Sequence, residues 1–268
     1  MANNFSGDSS CKALWRFESG ALTTDSRGNG NTLVADGTPA ESLDAMEGTG
    51  SVSLVRTDSD GYHITDANLS SGFPLKNGDT TKKITVCAWV KFTSLPGGHS
   101  DIASKADVGG GYETFRLCAY VWGSGPANYN FDVVLGCTET VYQSWHAFDD
   151  IGDISGSWHH LGFTYDDSTR VWQLRWWNGS TAATASDTAT YNISLFAVSD
   201  FCVGRVYSGE SSYLDGLLDE VVVFNRVLSI AEIDSVRNGT FASEGSLVVS
   251  LGDRMGQYVP VVQSGHSP

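Results

Sequence analysis

Apolar and polar residues alternate over short stretches through most of the chain. In the stretch 84–92, every second residue from Ile84 to Phe92 is apolar, and the residues between them are Thr85, Cys87, Trp89 and Lys91. A period of two indicates a β-strand with one face in a core and the other partly exposed. Similar stretches between Gly-, Pro- and Asn-containing turns predict further strands at 14–17, 52–55, 62–64, 102–105, 114–122, 131–136, 140–148, 158–165, 171–177, 193–196 and 201–205.

Three signals follow one another near the C-terminal end. Residues 214–224 form a nearly continuous apolar run, which is typical of a strand covered on both faces. Ser229, followed three residues later by Glu232, is a capping-box pattern, and Asn238-Gly239 tolerates the positive φ at a helix end. The sequence therefore predicts a core strand, a tight turn and one short helix with an inner face of Ile230, Ile233 and Val236.

Composition agrees with the strand pattern. The chain has 268 residues, enough for one well-buried core, and combines 18% charged residues with 30 glycines and 11% aromatic residues. Many strands at short spacing imply two packed sheets. The predicted fold is all-β, a two-sheet antiparallel β-sandwich (jelly roll) with one short helix near the C-terminal end.

Charge and cysteine spacing exclude several classes of protein. A net charge of −15 argues against a nucleic-acid partner, because binding phosphates needs clustered Lys and Arg. No apolar run approaches the ~18 residues of a membrane span, so we expect no membrane insertion. The five cysteines show no C-x-x-C spacing, which removes zinc-ribbon and thioredoxin-like sites, and we expect most of them to be reduced.

The first residues, MANNFSGDSSCK, lack the basic and apolar regions of a signal peptide. We therefore expect no ordinary export signal and no transmembrane segment. The expected location is extracellular or on a particle surface, reached by a non-classical route, and otherwise cytoplasmic.

One phrase carries a family resemblance. The run DGLLDEVVVFNRVLSIAEI (215–233) resembles the closing signature of laminin-G-like jelly rolls of the concanavalin A-like lectin and glucanase superfamily. Four other segments fit the same template in order: 13–33, 84–92, 157–167 and 176–180. The resemblance covers 11–239 and implies a jelly-roll domain at 1–241. It leaves 242–268 as a C-terminal extension that is predicted to add a strand or to reach a neighbouring subunit.

The resemblance also implies a metal site. Family members often hold a structural Ca²⁺ between the opening and closing strands, bound by carboxylate and carbonyl oxygens. Glu18 and Asp219 match those positions, and Asp25 is a third candidate ligand. The alternative is that Asp219 and Glu220 cap turns or pair with Arg16 and Arg226.

Catalytic residues are not expected. Glucanases of this superfamily carry E-x-D-x-x-E on one strand, and the nearest match here, Glu232, Asp234 and Arg237, has an arginine in place of the last acid and lies in the predicted helix. His159 and His160 are adjacent and therefore point to opposite faces of a strand, which favours packing over a metal pair.

Candidate ligand-binding residues are aromatic side chains near Gly- and Asn-rich turns, since sugar sites combine rings with turn-borne polar groups. The alternative is that these rings belong to the core. The candidates are Trp122, Tyr129, Trp145, Tyr207 and Tyr213.

These observations predict a non-catalytic recognition or surface module that binds a glycan or a surface protein and is stabilised by Ca²⁺. The alternative is a structural or decoration protein on the exterior of a virus (phage) particle, which would self-associate or dock through 242–268. A third hypothesis is a polysaccharide-active enzyme with an unrecognised site.

Overall fold

A computed structural model describes residues 3–95, 98–107, 113–121, 129–138, 141–206 and 212–241. In these residues, fifteen strands form two antiparallel sheets. The larger sheet has eight strands in the order β13-β12-β11-β6-β15-β4-β3, with β1 beside β15. Its strands are β1 (Cys11–Trp15), β3 (Ala40–Ser42), β4 (Ser51–Leu54), β6 (Lys83–Phe92), β11 (Trp158–Asp166), β12 (Val171–Trp177), β13 (Ala182–Thr188) and β15 (Gly216–Phe224).

The smaller sheet has seven strands in the order β10-β9-β8-β7-β14-β5-β2 among the described residues. These strands are β2 (Val34–Asp36), β5 (Gly61–Ile64), β7 (Gly98–Ala106), β8 (Phe115–Val121), β9 (Tyr129–Gly136), β10 (Tyr142–Phe148) and β14 (Asp200–Val203). The all-β sandwich and its single late helix are therefore confirmed.

The closing strand β15 is central, as its apolar run predicts. One edge pairs with β6 along 216–219 and 222–224, with Val222 opposite Cys87. The other edge pairs with two short strands: β4 along 216–218 and β1 along 221–224. Joining the start of the chain to its end in this way brings the loop after β1 next to β15.

The main core lies between the sheets and is rich in aromatic side chains. Phe115 of the smaller sheet stacks on Phe163 of the larger one at a ring-centroid distance of 5.6 Å, and both rings are fully buried. Trp15 and Phe201 stack across the sheets in the same way at 5.7 Å. The predicted core face of β6 is confirmed, because its even-numbered residues from Ile84 to Phe92 all lie in this core. Its other face was expected to be partly exposed, and that expectation was wrong: Thr85, Cys87 and Trp89 are buried, because other parts of the chain cover that side of the sheet.

A second apolar cluster covers the outward surface of the larger sheet. We call this surface the sealed face. Outward residues of β1, β6 and β15 contact the helix α1 (Ile230–Arg237) and the N-terminal segment there. Gly162 of β11 allows helix α1 to lie close to the sheet, since a Cβ at this position would lie 2.4 Å from Cγ2 of Ile233. The cluster consists of Phe5, Cys11, Leu14, Cys87, Val222, Phe224, Leu228, Ile233, Val236 and Phe241.

Helix α1 begins with the predicted capping box. The Ser229 hydroxyl accepts from the Glu232 backbone N–H, and the Glu232 carboxylate accepts from the Ser229 N–H at 2.7 Å. Ile233 and Val236 are buried as expected, but Ile230 is 38% exposed. The expectation for Ile230 was wrong, because the first residue of the helix points away from the sheet.

Two other differences concern weak strand signals. Residues 193–196 were predicted as a strand but form none. Hydrogen bonds from Ser194 N–H to the Gly136 carbonyl and from Ile193 N–H to the Asp167 carboxylate hold this segment. The short strands β2 and β3 and the strand β13 were not predicted. Most residues of β13 are exposed, so its sequence carries no apolar alternation.

The five cysteines are all free and buried. His159 packs on the core side against Phe131, whereas His160 lies on the outward side between Trp89 and Trp177, as expected for adjacent strand residues. Among the described residues, no helix is long and apolar enough to cross a bilayer. The extension 242–268 lies outside them.

Candidate functional site

A β-bulge interrupts β15 between Asp219 and Val222, where Glu220 has a φ of 47°. Asp219 lies on the outward side, and its Oδ2 accepts hydrogen bonds from the backbone N–H groups of Met46 (2.8 Å) and Glu47 (3.0 Å). Its Oδ1 is buried and has no hydrogen-bond partner in the described structure. Burial raises the pKa of the Asp219 carboxyl to about 6. This oxygen is one that a bound cation would satisfy.

Glu18 lies near Asp219, on the other side of the segment 46–49. Its Oε2 accepts hydrogen bonds from the backbone N–H (2.9 Å) and the hydroxyl (2.6 Å) of Thr49. After burial, the Glu18 charge also contributes to the rise of the Asp219 pKa. The structure therefore brings together Glu18 and Asp219, which the sequence placed 201 positions apart (219 − 18).

Glu220 has a different partner. Nη1 of Arg16 lies 2.7 Å and 2.9 Å from its two carboxylate oxygens. Burial raises the pKa of Glu220 to about 8, and the Arg16 charge opposes that rise. The alternative of pairing with arginine thus holds for Glu220 and Arg16. Arg226 instead contacts Asp8 at 3.2 Å and Glu232 at 2.7 Å.

Asp25 organises its own loop rather than joining Asp219. Its carboxylate accepts backbone N–H groups from Leu14 (3.2 Å), Arg27 (2.9 Å), Asn29 (3.1 Å) and Asn31 (3.1 Å). These donors fill the lone-pair directions that a metal would need. No group of three or more His, Cys, Asp or Glu side chains in the described residues is arranged to hold a metal.

Two of the predicted ligand-binding rings face inward. Tyr129 and Trp145 are partly buried and pack against the main core. Trp145 lies against Trp172 at a ring-centroid distance of 5.4 Å, and its Nε1 donates to Oδ2 of Asp187 at 3.0 Å. These contacts join β10 of one sheet to β12 and β13 of the other and close that edge of the sandwich.

The other predicted rings do not join them. Tyr213 is 8% exposed, and the Arg205 guanidinium lies 5.7 Å from its ring centroid. The backbone carbonyl of Tyr213 accepts a hydrogen bond from Arg56. Trp122 and Tyr207 lie outside the described residues. The predicted aromatic set is therefore not gathered into one exposed surface by the described structure.

A different row of rings lies on the outward surface of the smaller sheet, which we call the open face. The ring row consists of His99 of β7, Tyr120 of β8 and His146 of β10. His99 and Tyr120 are 4.5 Å apart between ring centroids, and Tyr120 and His146 are 5.9 Å apart and nearly parallel. Tyr142, on the same side of β10, is 67% exposed because it pairs with Gly136, which has no side chain to cover it.

Ion pairs lie beside the ring row. Nε and Nη2 of Arg116 each lie 2.8 Å from one carboxylate oxygen of Asp101, and Nδ1 of His146 lies 2.8 Å from Oδ1 of Asp132. Burial raises the pKa of Asp132, which the His146 bond opposes. Burial and the Arg116 charge lower the pKa of His99 to about 4, so this imidazole is neutral at pH 7. The open face thus combines aromatic rings with carboxylates that are held by Arg116 and His146.

Sequence reasoning missed the ring row although part of its signal is present. In β8 (FRLCAYV), Phe115, Leu117 and Ala119 enter the core, which leaves Arg116, Cys118 and Tyr120 on the outward side. That alternation identifies an outward polar face on one strand. The neighbours of Tyr120 come from other strands, whose register the sequence does not state.

Residues 57–234 match the family profile of the concanavalin A-like lectin/glucanases superfamily. The chain belongs to this superfamily. The match includes the bulged closing strand and the open face, and it confirms the resemblance read from 215–233. Among curated proteins, none matches the chain.

Solved structures with the same fold share little sequence with it. Domain 4 of AbnA, a GH43 extracellular arabinanase from Geobacillus stearothermophilus in complex with arabinotriose, has 16% identity and a TM-score of 0.59, over 85% of this chain and 98% of that one. The enzymatically active domain of bacteriophage CBA120 tailspike protein 2 has 14% identity and a TM-score of 0.58, over 77% of this chain and 31% of that one. At these identities the likeness establishes the fold.

Proposed function

We propose that this chain is a non-catalytic glycan-binding module that binds its ligand on the open face. The observation that carries the proposal is the ring row of His99, Tyr120 and His146, with the exposed Tyr142 four residues along β10 on the same face. Sugar sites combine aromatic surface with a few fixed polar groups, and this face supplies both. The arabinanase domain, which was solved with arabinotriose, supports the proposal at the level of the fold.

The polar groups of the ring row are fixed in a form that suits hydroxyl groups. Nδ1 of His146 is engaged by Asp132 at 2.8 Å, so a ligand hydroxyl would meet Nε2, the other ring nitrogen. His99 is neutral at pH 7 because of its lowered pKa. Tyr142, which is largely exposed, adds a ring surface against which the C–H groups of a sugar can pack.

The charges beside the ring row favour a neutral glycan. Among the described residues near the row, the guanidinium of Arg116 is held by Asp101, and that of Arg56 donates to the His99 and Tyr213 carbonyls. An acidic sugar would meet the carboxylate of Asp132, and like charges at short range are unfavourable. We propose that the ligand is a neutral oligosaccharide.

The test is a glycan array of neutral and acidic oligosaccharides, followed by calorimetric titration of the best ligand. We expect neutral glycans to bind and His146→Ala and Tyr142→Ala each to weaken binding by roughly tenfold or more. Tyr191→Ala is the matched control, because Tyr191 is a 56% exposed tyrosine outside the open face. Equal affinity in all three variants, or binding of acidic glycans alone, would contradict the proposal. A reducing-sugar assay on the same ligand should show no release of sugar.

We also propose that Ca²⁺ binds at Asp219 and Glu18. The unpartnered Oδ1 of Asp219 fits a cation, and the carboxylates of Asp219 and Glu18 are oxygen donors of the kind Ca²⁺ prefers. A bound cation would offset the electrostatic cost of holding the two carboxylates close together. Its role would be structural, joining β15 to the loops after β1 and β3.

Titration calorimetry of metal-free protein with Ca²⁺ tests this site. We expect saturable binding in the wild type and none in Asp219→Asn. Asp25→Asn should keep Ca²⁺ binding, because the Asp25 carboxylate is occupied by backbone donors of its own loop. Loss of binding in Asp25→Asn with retention in Asp219→Asn would reverse the assignment.

Two alternative functions that the sequence predicted also stay predictions. A structural or decoration protein on a virus exterior would dock through 242–268, which lies outside the described residues. A polysaccharide-active enzyme would be detected by the reducing-sugar assay described above.

A further inference from the structure

A small polar cavity lies on the outer side of β1, far in sequence from the ring row. Its volume is about 100 Å³. The N-terminal segment forms one wall, β1 and the residue after it form another, and the loop that contains Asp25 closes the third. The polar residues that line it are Asn3, Asn4, Ser6, Arg16, Ser26 and Arg27.

The wall contributed by the N-terminal segment is held in place by specific contacts. The Asn3 amide donates to the Val236 carbonyl at 2.7 Å and accepts from the Phe241 backbone N–H at 3.1 Å. Phe5 is 2% exposed and packs between Phe224 and Phe241. The cavity is therefore a formed part of the fold rather than a gap beside a loose chain end.

The two arginines of the cavity differ in how many of their donors are used. Arg16 directs Nη1 to Glu220 and Nη2 to the Asn3 carbonyl. Within the described ranges, Arg27 makes one side-chain hydrogen bond, from Nη2 to the Asp8 carbonyl at 3.3 Å. Its Nε is buried and has no hydrogen-bond partner among the described residues. A buried cationic N–H without an acceptor is unfavourable, so this group calls for a ligand that accepts.

We propose that this cavity binds a small oxyanion: a sulfate, a phosphate or a carboxylate. A planar guanidinium binds the oxygens of such groups through two parallel N–H donors, and the amides and hydroxyls of Asn4, Ser6 and Ser26 provide further donors. The volume admits a group of this size. The anion would come either free from solution or as an acidic substituent of a carbohydrate.

The overall charge makes this proposal easy to test. At a net charge of −15 the chain repels anions in general, so saturable anion binding requires a local site. Water is the competing occupant, because it would also satisfy Nε of Arg27. Water and an oxyanion differ in that only the anion gives a saturable, charge-dependent response.

The experiment titrates the full chain with sulfate, phosphate and acetate, and with chloride at matched ionic strength, by calorimetry and thermal unfolding. We expect saturable binding of at least one oxyanion, roughly tenfold weaker in Arg27→Gln. Arg27→Lys keeps the charge but loses the planar donor pair, so its affinity for the anion should lie between those of the wild type and Arg27→Gln. Arg170→Gln is the control, because Arg170 donates to the Thr190 carbonyl elsewhere on the surface and should leave binding unchanged.

No saturable binding, or equal binding in Arg27→Gln and the wild type, would show that the cavity holds water only. A second arm compares inorganic sulfate with a sulfated monosaccharide, and acetate with a uronic acid. Tighter binding of the sugar acids identifies a carbohydrate substituent as the ligand, and equal or weaker binding identifies a free anion. Because the ring row is not involved, His146→Ala should bind the anion normally, which separates this result from that of the glycan titration.

Discussion

Cys87 and Cys118 occupy equivalent positions, each an outward-pointing residue near the middle of a long strand, yet their surroundings differ. Both thiols are fully buried. Cys87, on the sealed face, belongs to an apolar cluster beneath helix α1. Cys118, on the open face, lies in register between Asp101 and Asp132. One sheet is therefore covered by packing and the other by its own paired side chains.

This difference bears on how much each face contributes to stability. Apolar burial on the sealed face contributes about 25 cal/mol per Å² removed from water. Buried ion pairs such as Asp101–Arg116 gain little net free energy, because desolvation offsets the attraction between the charges. We infer that the sealed face stabilises the sandwich, which leaves the open face available for a ligand. The four predictions below test this division.

The largest expected effect comes from truncating one ring on each face. Phe224→Ala removes a fully buried ring of the sealed face and should lower the free energy of unfolding by about 4 kcal/mol. Tyr120→Ala removes a partly buried ring of the open face and should cost about 1 kcal/mol or less. Urea unfolding of both variants measures the difference. Similar losses would mean that the two faces contribute equally.

Acid sensitivity should arise in part from the sealed face. Burial, and then the Arg237 charge, lower the pKa of His160 from 6.5 to about 3. As the pH falls below about 6.5, His160 is protonated in the unfolded chain but stays neutral in the folded protein. The stability that His160 contributes is therefore full at neutral pH and is lost progressively towards about pH 3. His160 alone should account for about 3 kcal/mol between pH 7 and pH 4.

His160→Gln should flatten this pH dependence when the free energy of unfolding is measured across that range. His99 on the open face acts with the same sign, since its pKa is lowered to about 4. His99→Gln therefore serves as the comparison, and His99 should contribute less because it is partly exposed. An unchanged slope in His160→Gln would show that this histidine can be protonated in the folded protein.

Gly162 tests how closely the helix approaches the sealed face. Gly162→Ala places a methyl group against Ile233 and should cost about 2 kcal/mol, because a packed helix has to shift. Ile233→Ala removes the side chain in conflict, so the double variant should lose less than the sum of the two single losses. Strict additivity in thermal unfolding would contradict the contact.

The smallest effect concerns the helix cap. Ser229→Ala removes the side-chain acceptor for the Glu232 N–H and should cost about 1 kcal/mol. Ser235→Ala is the matched control, because that serine lies inside the helix, where alanine is at least as favourable. A loss in Ser235→Ala as large as that in Ser229→Ala would mean that the cap itself contributes nothing.

Local patterns in the sequence determined several elements directly. The alternation in 84–92, the apolar run ending at Phe224 and the Ser229–Glu232 capping box each depend on residues that are close in sequence, so their conformations follow from spacing alone. Strand β13 was missed for the same reason, since its exposed residues carry no apolar period.

Tertiary structure decided the geometry of the candidate sites. Glu18 and Asp219 both bond the segment 46–49 because β1 pairs with β15, and the ring row exists because β7, β8, β9 and β10 lie side by side in one sheet. Strand register depends on the fit of whole sheets, and the position of a bulge depends on the loops that cover it. A single sequence shows which residues point outward, whereas only the folded sheets determine which of them are neighbours.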